Sequence, residues 1–585
     1  MTINDYYADE LQALRILGAE FSEKNPGLSS FLARKGQDPD VERLLEGFAF
    51  LCGRVRQYID EELPEVSHAL AQLLWPNYLQ PIPSFSILKF EPSASDAPVT
   101  VPKGEEVMAL HPENDEHCIF QTCYETTLLP LDLEEVRYYT LGTGSVIELE
   151  LSTVQNRTLE KLQIEYLRFY IGNHEHLSDN LFYYLMNHVE DIEVRVGGGT
   201  LTKKLPASSI RAVGFAEEEK ILPPVKNVSS AYTLLQEYFC FRGKYHFIDI
   251  CGLDIIKRFP AESLQKSGRF TIKITLGEKL KITKSVTKEN FQLYCTPIVN
   301  IFETEAEPIR KGLQEEYEVI PAGTMYKNSE VFSVKRVQGW DSRRGKYHKY
   351  IPFESFEHVY NNTDYYYTRV KLSDDHTRTK TYIRFFNGAE SLNSGYENGI
   401  TLSLDLLITN KDLPSTLDIG EISRTTSRST VSNLSFKNIT VPTKSYTPPI
   451  HGDFLWRIIS NMSLNYTALE NIERLKSVIK TYDFIGAADT LQKKQTDSLL
   501  EGLEEITCEA KDMIYRGFPI RGVVSRLRMN SKKFSTIGEA YLFATVLNRF
   551  FSLFATVNSF HKLEVTVDRK ARFSWTPHIG EQALL

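Results

Sequence analysis

The residues with the most obvious chemical potential lie between positions 111 and 123. His111, His117, Cys118 and Cys123 are all types that bind zinc, through imidazole nitrogen or thiolate sulfur. The stretch CIFQTCYE reads as a strand, however, and an odd separation there sends Cys118 and Cys123 to opposite faces. No second pair follows at finger-like spacing, so structural roles are expected. His174 and His176, in HEH, raise the same question, and a loop ahead of a helix is the expected setting. Phosphate cradling would need GxxxxGK[ST], which is absent. GTG at Gly142 and GGG at Gly197 lack the strand–loop–helix spacing of a dinucleotide site and read as turns. GxSxG and HExxH are absent too. Carboxylate runs such as Glu61–Glu62 and Glu217–Glu219 read as solvated faces. A glycosidase can draw its two carboxylates from distant positions. A hydrolase with dispersed catalytic carboxylates in the β-rich region is therefore the alternative function.

The elements that would position such groups follow from composition and period. The chain has 585 residues, with hydrophobic content of 42%, charged content of 24% and aromatic content of 11%. That is ordinary for a chain that buries a core. Net charge is −9, and residues 1–80 hold 13 Asp and Glu against 7 Lys and Arg. An acidic front argues against nucleic acid and against anionic membrane surfaces as partners. The seven cysteines are scattered without CxxC, as expected of reduced thiols in a cytosolic chain. MTINDYYADE carries acids where a secretory signal carries basic residues. The most apolar stretch, Ala540–Phe560, has Arg549 near its middle, so it reads as a buried helix rather than a membrane span.

Residues 1–83 read as amphipathic helices. Tyr7, Leu11, Leu14, Leu17 and Phe21 recur in steps of three and four over Asn4–Lys24. DPDVERLLEGFAFLCGRVRQYIDEELPE follows. Asp38 suits an N-cap and Pro39 the first helical position. Leu44, Phe48, Leu51, Val55 and Ile59 are among the apolar residues that follow, and Pro64 ends the run. With the Tyr7–Phe21 face, these residues are the candidate partner interface. From Ser84 the period changes to two. VIELELS, DIEVRV, TIKITL and KLEVTV alternate like half-buried antiparallel strands. Residues 84–300 and 301–422 read as two β-rich domains. In 423–447, 12 of 25 residues are Ser or Thr, which places a polar linker, extended or pinned against a neighbour, at 423–450. Residues 451–585 read as an α+β domain with helices at Met462–Thr481, Asp497–Arg516 and Thr536–Phe560. The fold class expected is α+β multidomain: a helical front, a β-rich middle of antiparallel and mixed sheets, and an α+β end. An aromatic-rich β chain also suits an adhesin-like binding module, which the unpaired cysteines disfavour.

Several blocks resemble one family. YYADELQALRILGAEFSEKNPGLSSFLA, the helix block above and LLWPNYLQPIPSFSILKFEP open the chain. Cys295–Ile309, Thr409–Pro414 and Leu455–Tyr466 follow, then ATVLNRFFSLFATVNSFHKLEV and the closing WTPHIG. In this order they are similar to the TssF (VasA, ImpG) family of the bacterial type VI secretion system. The resemblance implies a structural wedge subunit of a contractile-tail baseplate, with no catalysis and no cofactor. It implies assembly with TssG and a second copy of the chain. It also implies contact with TssK, TssE and the VgrG spike, in the cytoplasm against the inner-membrane complex, without membrane insertion.

Overall fold

The computed structural model describes residues 75–580 apart from short stretches, the longest being 354–363, 388–399 and 451–470. Ahead of them it describes 7–8, 11–12, 14, 39–62 and 71–72. The chain divides into two units, residues 1–76 with 450–462, and 77–449 with 463–585. In the first unit the main described element is helix α1, Pro39–Glu62. Its 24 residues make a rod of about 36 Å at 1.5 Å per residue. Residues 15–38 lie outside the described residues.

The second unit is built on sheets. One six-stranded sheet gathers Phe85–Phe90, Glu106–Leu110, His117–Thr122 and Cys295–Val299. Its two edges are closed by one segment. Arg424–Thr425 pairs with Glu106–Leu110, and Phe436–Asn438 pairs with Phe85–Phe90. The Ser/Thr-rich stretch is thus a strap pinned to a sheet, and its hydroxyls do the pinning. Thr440 Oγ1 accepts the Ile87 backbone N–H at 2.9 Å, and Thr443 Oγ1 accepts that of Phe85 at 2.9 Å. Glu105, 5% exposed, accepts from Ser429 Oγ (2.5 Å), Thr430 N (2.6 Å) and Thr430 Oγ1 (2.7 Å).

A five-stranded antiparallel sheet holds the alternating segments. Leu149, Ile272 and Val194 stand side by side across Gly144–Thr153, Arg269–Leu276 and Val189–Val196, all fully buried. Glu148 and Glu150, the intervening residues, face outward as period two requires. An eight-stranded sheet spans 302–409, and on its strand Ile400–Thr409 the residues Leu402, Leu404, Leu406 and Ile408 are 0% exposed. Asn300 and Asn410 join it to the six-stranded sheet through buried hydrogen bonds.

Helices fill the space between sheets. α2 (Glu175–Asn187) and α3 (Ser230–Cys240) precede α4 (Ile472–Lys480), α5 (Thr490–Glu501) and α6 (Ile537–Ser552). α6 is the apolar segment, and Ala540–Asn548, Phe550 and Phe551 are buried. It lies against α2 and α3, with the Tyr541 ring 5.5 Å from Tyr183 and Phe543 5.3 Å from Tyr238. Gly538 permits the approach, since a Cβ there would stand 2.2 Å from the Asp179 carbonyl oxygen. Among the described residues no helix is long and apolar enough to cross a membrane.

Two expectations need correction. The helix expected over Asp497–Arg516 stops at Glu501, and Leu503–Tyr515 is a strand that turns back as Phe518–Met529. Gly502 ends the helix. Arg516 and Gly517 turn the chain at φ 50 and 86, the two positive values a tight hairpin needs. The helix expected over Thr536–Phe560 ends at Ser552, and Phe560 opens a strand.

Candidate partner-docking surface

α1 presents two unlike sides. Ala49 and Gly53 are buried, and Leu45 and Cys52 are half-buried. The other side carries Leu44 (73% exposed), Phe48 (56%), Leu51 (62%) and Val55 (59%). Steps of four, three and four align these residues in one stripe along the helix. Phe50, 49% exposed, lies outside that spacing and was not foreseen. Arg43, Glu46 and Arg54 are exposed on other parts of the helix circumference. A run of large uncovered side chains on one helix face is unusual for a surface that ends in water. Covering the four would contribute on the order of 5 kcal/mol before the entropy of association is subtracted.

The other candidate interface residues are placed only in part. Tyr7, Leu11 and Leu14 are helical and half-buried. Leu17 and Phe21 lie outside the described residues, as does the side chain of Ile59.

The chemically suggestive residues have structural settings. Cys118 sits on His117–Thr122 and Cys123 just after it, 0% and 2% exposed. Burial pushes both thiols up to about 12, so they stay protonated and are poor metal ligands. His174 is the residue before α2, in extended backbone. His111 lies outside the described residues. No cluster of three metal-ligating side chains occurs among the described residues.

Buried charge in the second unit is engaged in holding elements together. Lys244 and Glu237, both 0% exposed, form an ion pair, and Glu237 Oε1 accepts the backbone N–H groups of Ile221 (2.8 Å) and Leu222 (2.9 Å). Asp179, on α2, takes His246 at 2.8 Å. Burial raises its pKa, but Arg242 and His246 outweigh that and hold the carboxyl below the usual range. Arg242 also bridges Glu539 of α6 at 2.6 Å. Ser525 Oγ lies 2.9 Å from His561 Nε2 and 3.2 Å from Cys508 Sγ, a grouping with the composition of a nucleophilic relay. Ser525 is 0% exposed, so no substrate carbonyl reaches it. A cleft of about 230 Å³ is lined by Glu125, Gln163, Glu165, Arg168 and Tyr294, but Arg168 is committed to Asp249 through two bonds of 2.7 and 2.9 Å.

Comparison with known proteins supplies the context for these surfaces. The family model described as "Type VI secretion system, TssF" matches residues 1–582. Type VI secretion system component TssF1 of Pseudomonas aeruginosa PAO1 is 27% identical over 95% of each chain. A chain of the cryo-electron microscopy structure of a type VI TssK-TssF-TssG baseplate subcomplex superposes with TM-score 0.75 at 27% identity, covering 92% of this chain and 99% of that one. A chain of the type VI baseplate complex, 24% identical, shares the fold at TM-score 0.62 over 100% of both.

Proposed function

The chain belongs to the TssF family of the type VI secretion system and is a structural component of its baseplate, and on that premise we propose that the exposed face of α1 is its docking surface for the other wedge subunits. The observation that carries the reading is the stripe Leu44–Phe48–Leu51–Val55, apolar, continuous and uncovered. Helices with such a stripe associate by ridges-into-grooves packing with other helices. The first occupants are helices of a TssG subunit and of a second copy of this chain, joined by the Tyr7–Phe21 face. TssK is a further partner, since a similar chain sits in a TssK-TssF-TssG subcomplex. TssE and a VgrG spike complete the assembly, which works on the cytoplasmic side of the inner membrane. The seven unpaired cysteines accord with a reducing compartment.

The test is co-purification of the chain with its TssG partner, wild type beside Leu44→Asp/Phe48→Asp. Both side chains are more than half exposed, so the variant folds, and its melting temperature should match wild type. Charge placed in an apolar interface costs several kcal/mol, so the complex should be lost. Retention of TssG by a folded variant would place the interface elsewhere.

A further inference from the structure

Leu503–Tyr515 is the outermost strand of the terminal sheet, and among the described residues no strand pairs with its outer edge. It is 13 residues long, about 40 Å of unpaired backbone donors and acceptors. Such an edge is a template for another strand. The hairpin also outruns its neighbour, because pairing with Phe560–Val567 begins at Val523. Asp512–Tyr515 and Phe518–Arg521 therefore form a two-stranded ribbon, exposed or half-exposed throughout. Its tip presents Ile514 (78% exposed) and Phe518 (73%). A two-stranded ribbon alone is marginal in water.

We infer that this edge pairs with the same edge of a second copy, antiparallel, about a two-fold axis at Ala510. The register follows from the charges. Centred on Ala510, Glu509 stands opposite Lys511 of the second copy, and Lys511 opposite its Glu509. Towards the ends Ile506 meets Ile514. No like charges face each other. Moving the centre to Glu509 sets that carboxylate against itself, and moving it to Lys511 sets two ammonium groups together, both repulsive. Ala510 is the small side chain that the axis, where two identical residues meet, accommodates. Glu509 holds Arg526 through Oε1 at 2.8 Å and, 51% exposed, keeps a second oxygen for the incoming lysine. A self-complementary patch is what a closed two-fold contact requires. This surface is separate from the α1 face and stands without it.

The experiment measures native mass against concentration by analytical ultracentrifugation. The full chain carries Leu44→Asp/Phe48→Asp, so that association through α1 is removed. A dimer at micromolar concentration is expected. Adding Lys511→Glu should weaken it about tenfold by facing carboxylate with carboxylate. Adding Glu509→Lys as well should restore it, since the swapped pair is again complementary. In a separate sample Ala510→Cys should form an intermolecular disulfide under mild oxidation, whereas native Cys508, opposite Asp512, should not. A monomer at every concentration overturns the inference. So does a dimer indifferent to Lys511→Glu, or one that the charge swap fails to rescue.

Discussion

Asn300 and Asn410 hydrogen-bond to each other at 2.8 Å, Nδ2 to Oδ1, in a site closed to solvent. Asn300 Oδ1 accepts the Asn410 backbone N–H at 2.7 Å, and Asn300 Nδ2 also donates to the Ile119 carbonyl at 2.7 Å. Asn410 Oδ1 accepts the Ile119 N–H at 3.1 Å, and its Nδ2 donates to the His117 carbonyl at 2.9 Å. Two amides thereby join strand His117–Thr122 of one sheet to the end of Ile400–Thr409 in another.

Asn410→Ala should destabilise the protein by about 3 kcal/mol, because it strands the Ile119 N–H and an Asn300 donor in a dry site. Urea unfolding measures this. A midpoint within error of wild type would mean that the amides are dispensable.

Glu105→Ala should release the strap at its Ser429–Thr430 anchor, where one carboxylate takes three hydrogen bonds. Trypsin cleaves after Arg424 and Arg428, so fragments broken there should form several-fold faster than in wild type, without global unfolding. Unchanged kinetics would show that strand pairing alone holds the strap.

Gly538→Ala should cost about 2–3 kcal/mol by overpacking, since the added methyl meets the backbone of α2 rather than a movable side chain. Ala is the better helix former, so an intrinsic effect would have the opposite sign. Thermal melting decides between them.

Acid should weaken the terminal sheet. Burial, with His578 nearby, lowers His561 to about 4, and burial, with Arg549, lowers His578 to about 4. Both imidazoles are neutral when folded, and the unfolded chain binds their protons near the ordinary value of about 6.5. Between those values the unfolded state carries more protons, so stability is complete above about pH 6.5 and falls as pH drops towards 4. His561 alone accounts for roughly 3 kcal/mol of that slope. His561→Leu should melt at a temperature less dependent on pH between 5 and 7.5. An unchanged slope would assign the effect to other groups.

Strand periodicity was legible wherever one face is buried. Ile147, Leu149 and Leu151 alternate with outward residues because a core lies on one side only. The hairpin at 503–529 was not, for the converse reason. Its outer half meets no core, so no alternation was imposed. Leu499, Leu503, Ile506, Ala510 and Met513 fell by chance into a helical rhythm. Gly517 was the available signal, as a turn residue with strand-like flanks. The stripe on α1 could be read as one apolar face, but exposure is a property of the folded chain, and nothing in the spacing separates Leu44 from buried Ala49. The amide joint was also invisible. Asn300 and Asn410 lie in two blocks whose residue types carry no chemistry until folding brings them together.

The strap also sets when the protein can finish folding during its synthesis. The six-stranded sheet takes strands from positions 85, 106, 117 and 295, and its last edge arrives with Phe436–Asn438. At roughly 5–20 residues per second, its first hairpin waits about 15–60 s on the ribosome for the segment that closes it. Throughout that interval the early strands present open edges to other nascent chains. Translation speed and chaperone occupancy before codon 438 therefore govern the yield of soluble subunit, and a truncation ahead of the strap leaves a sheet with both flanks exposed.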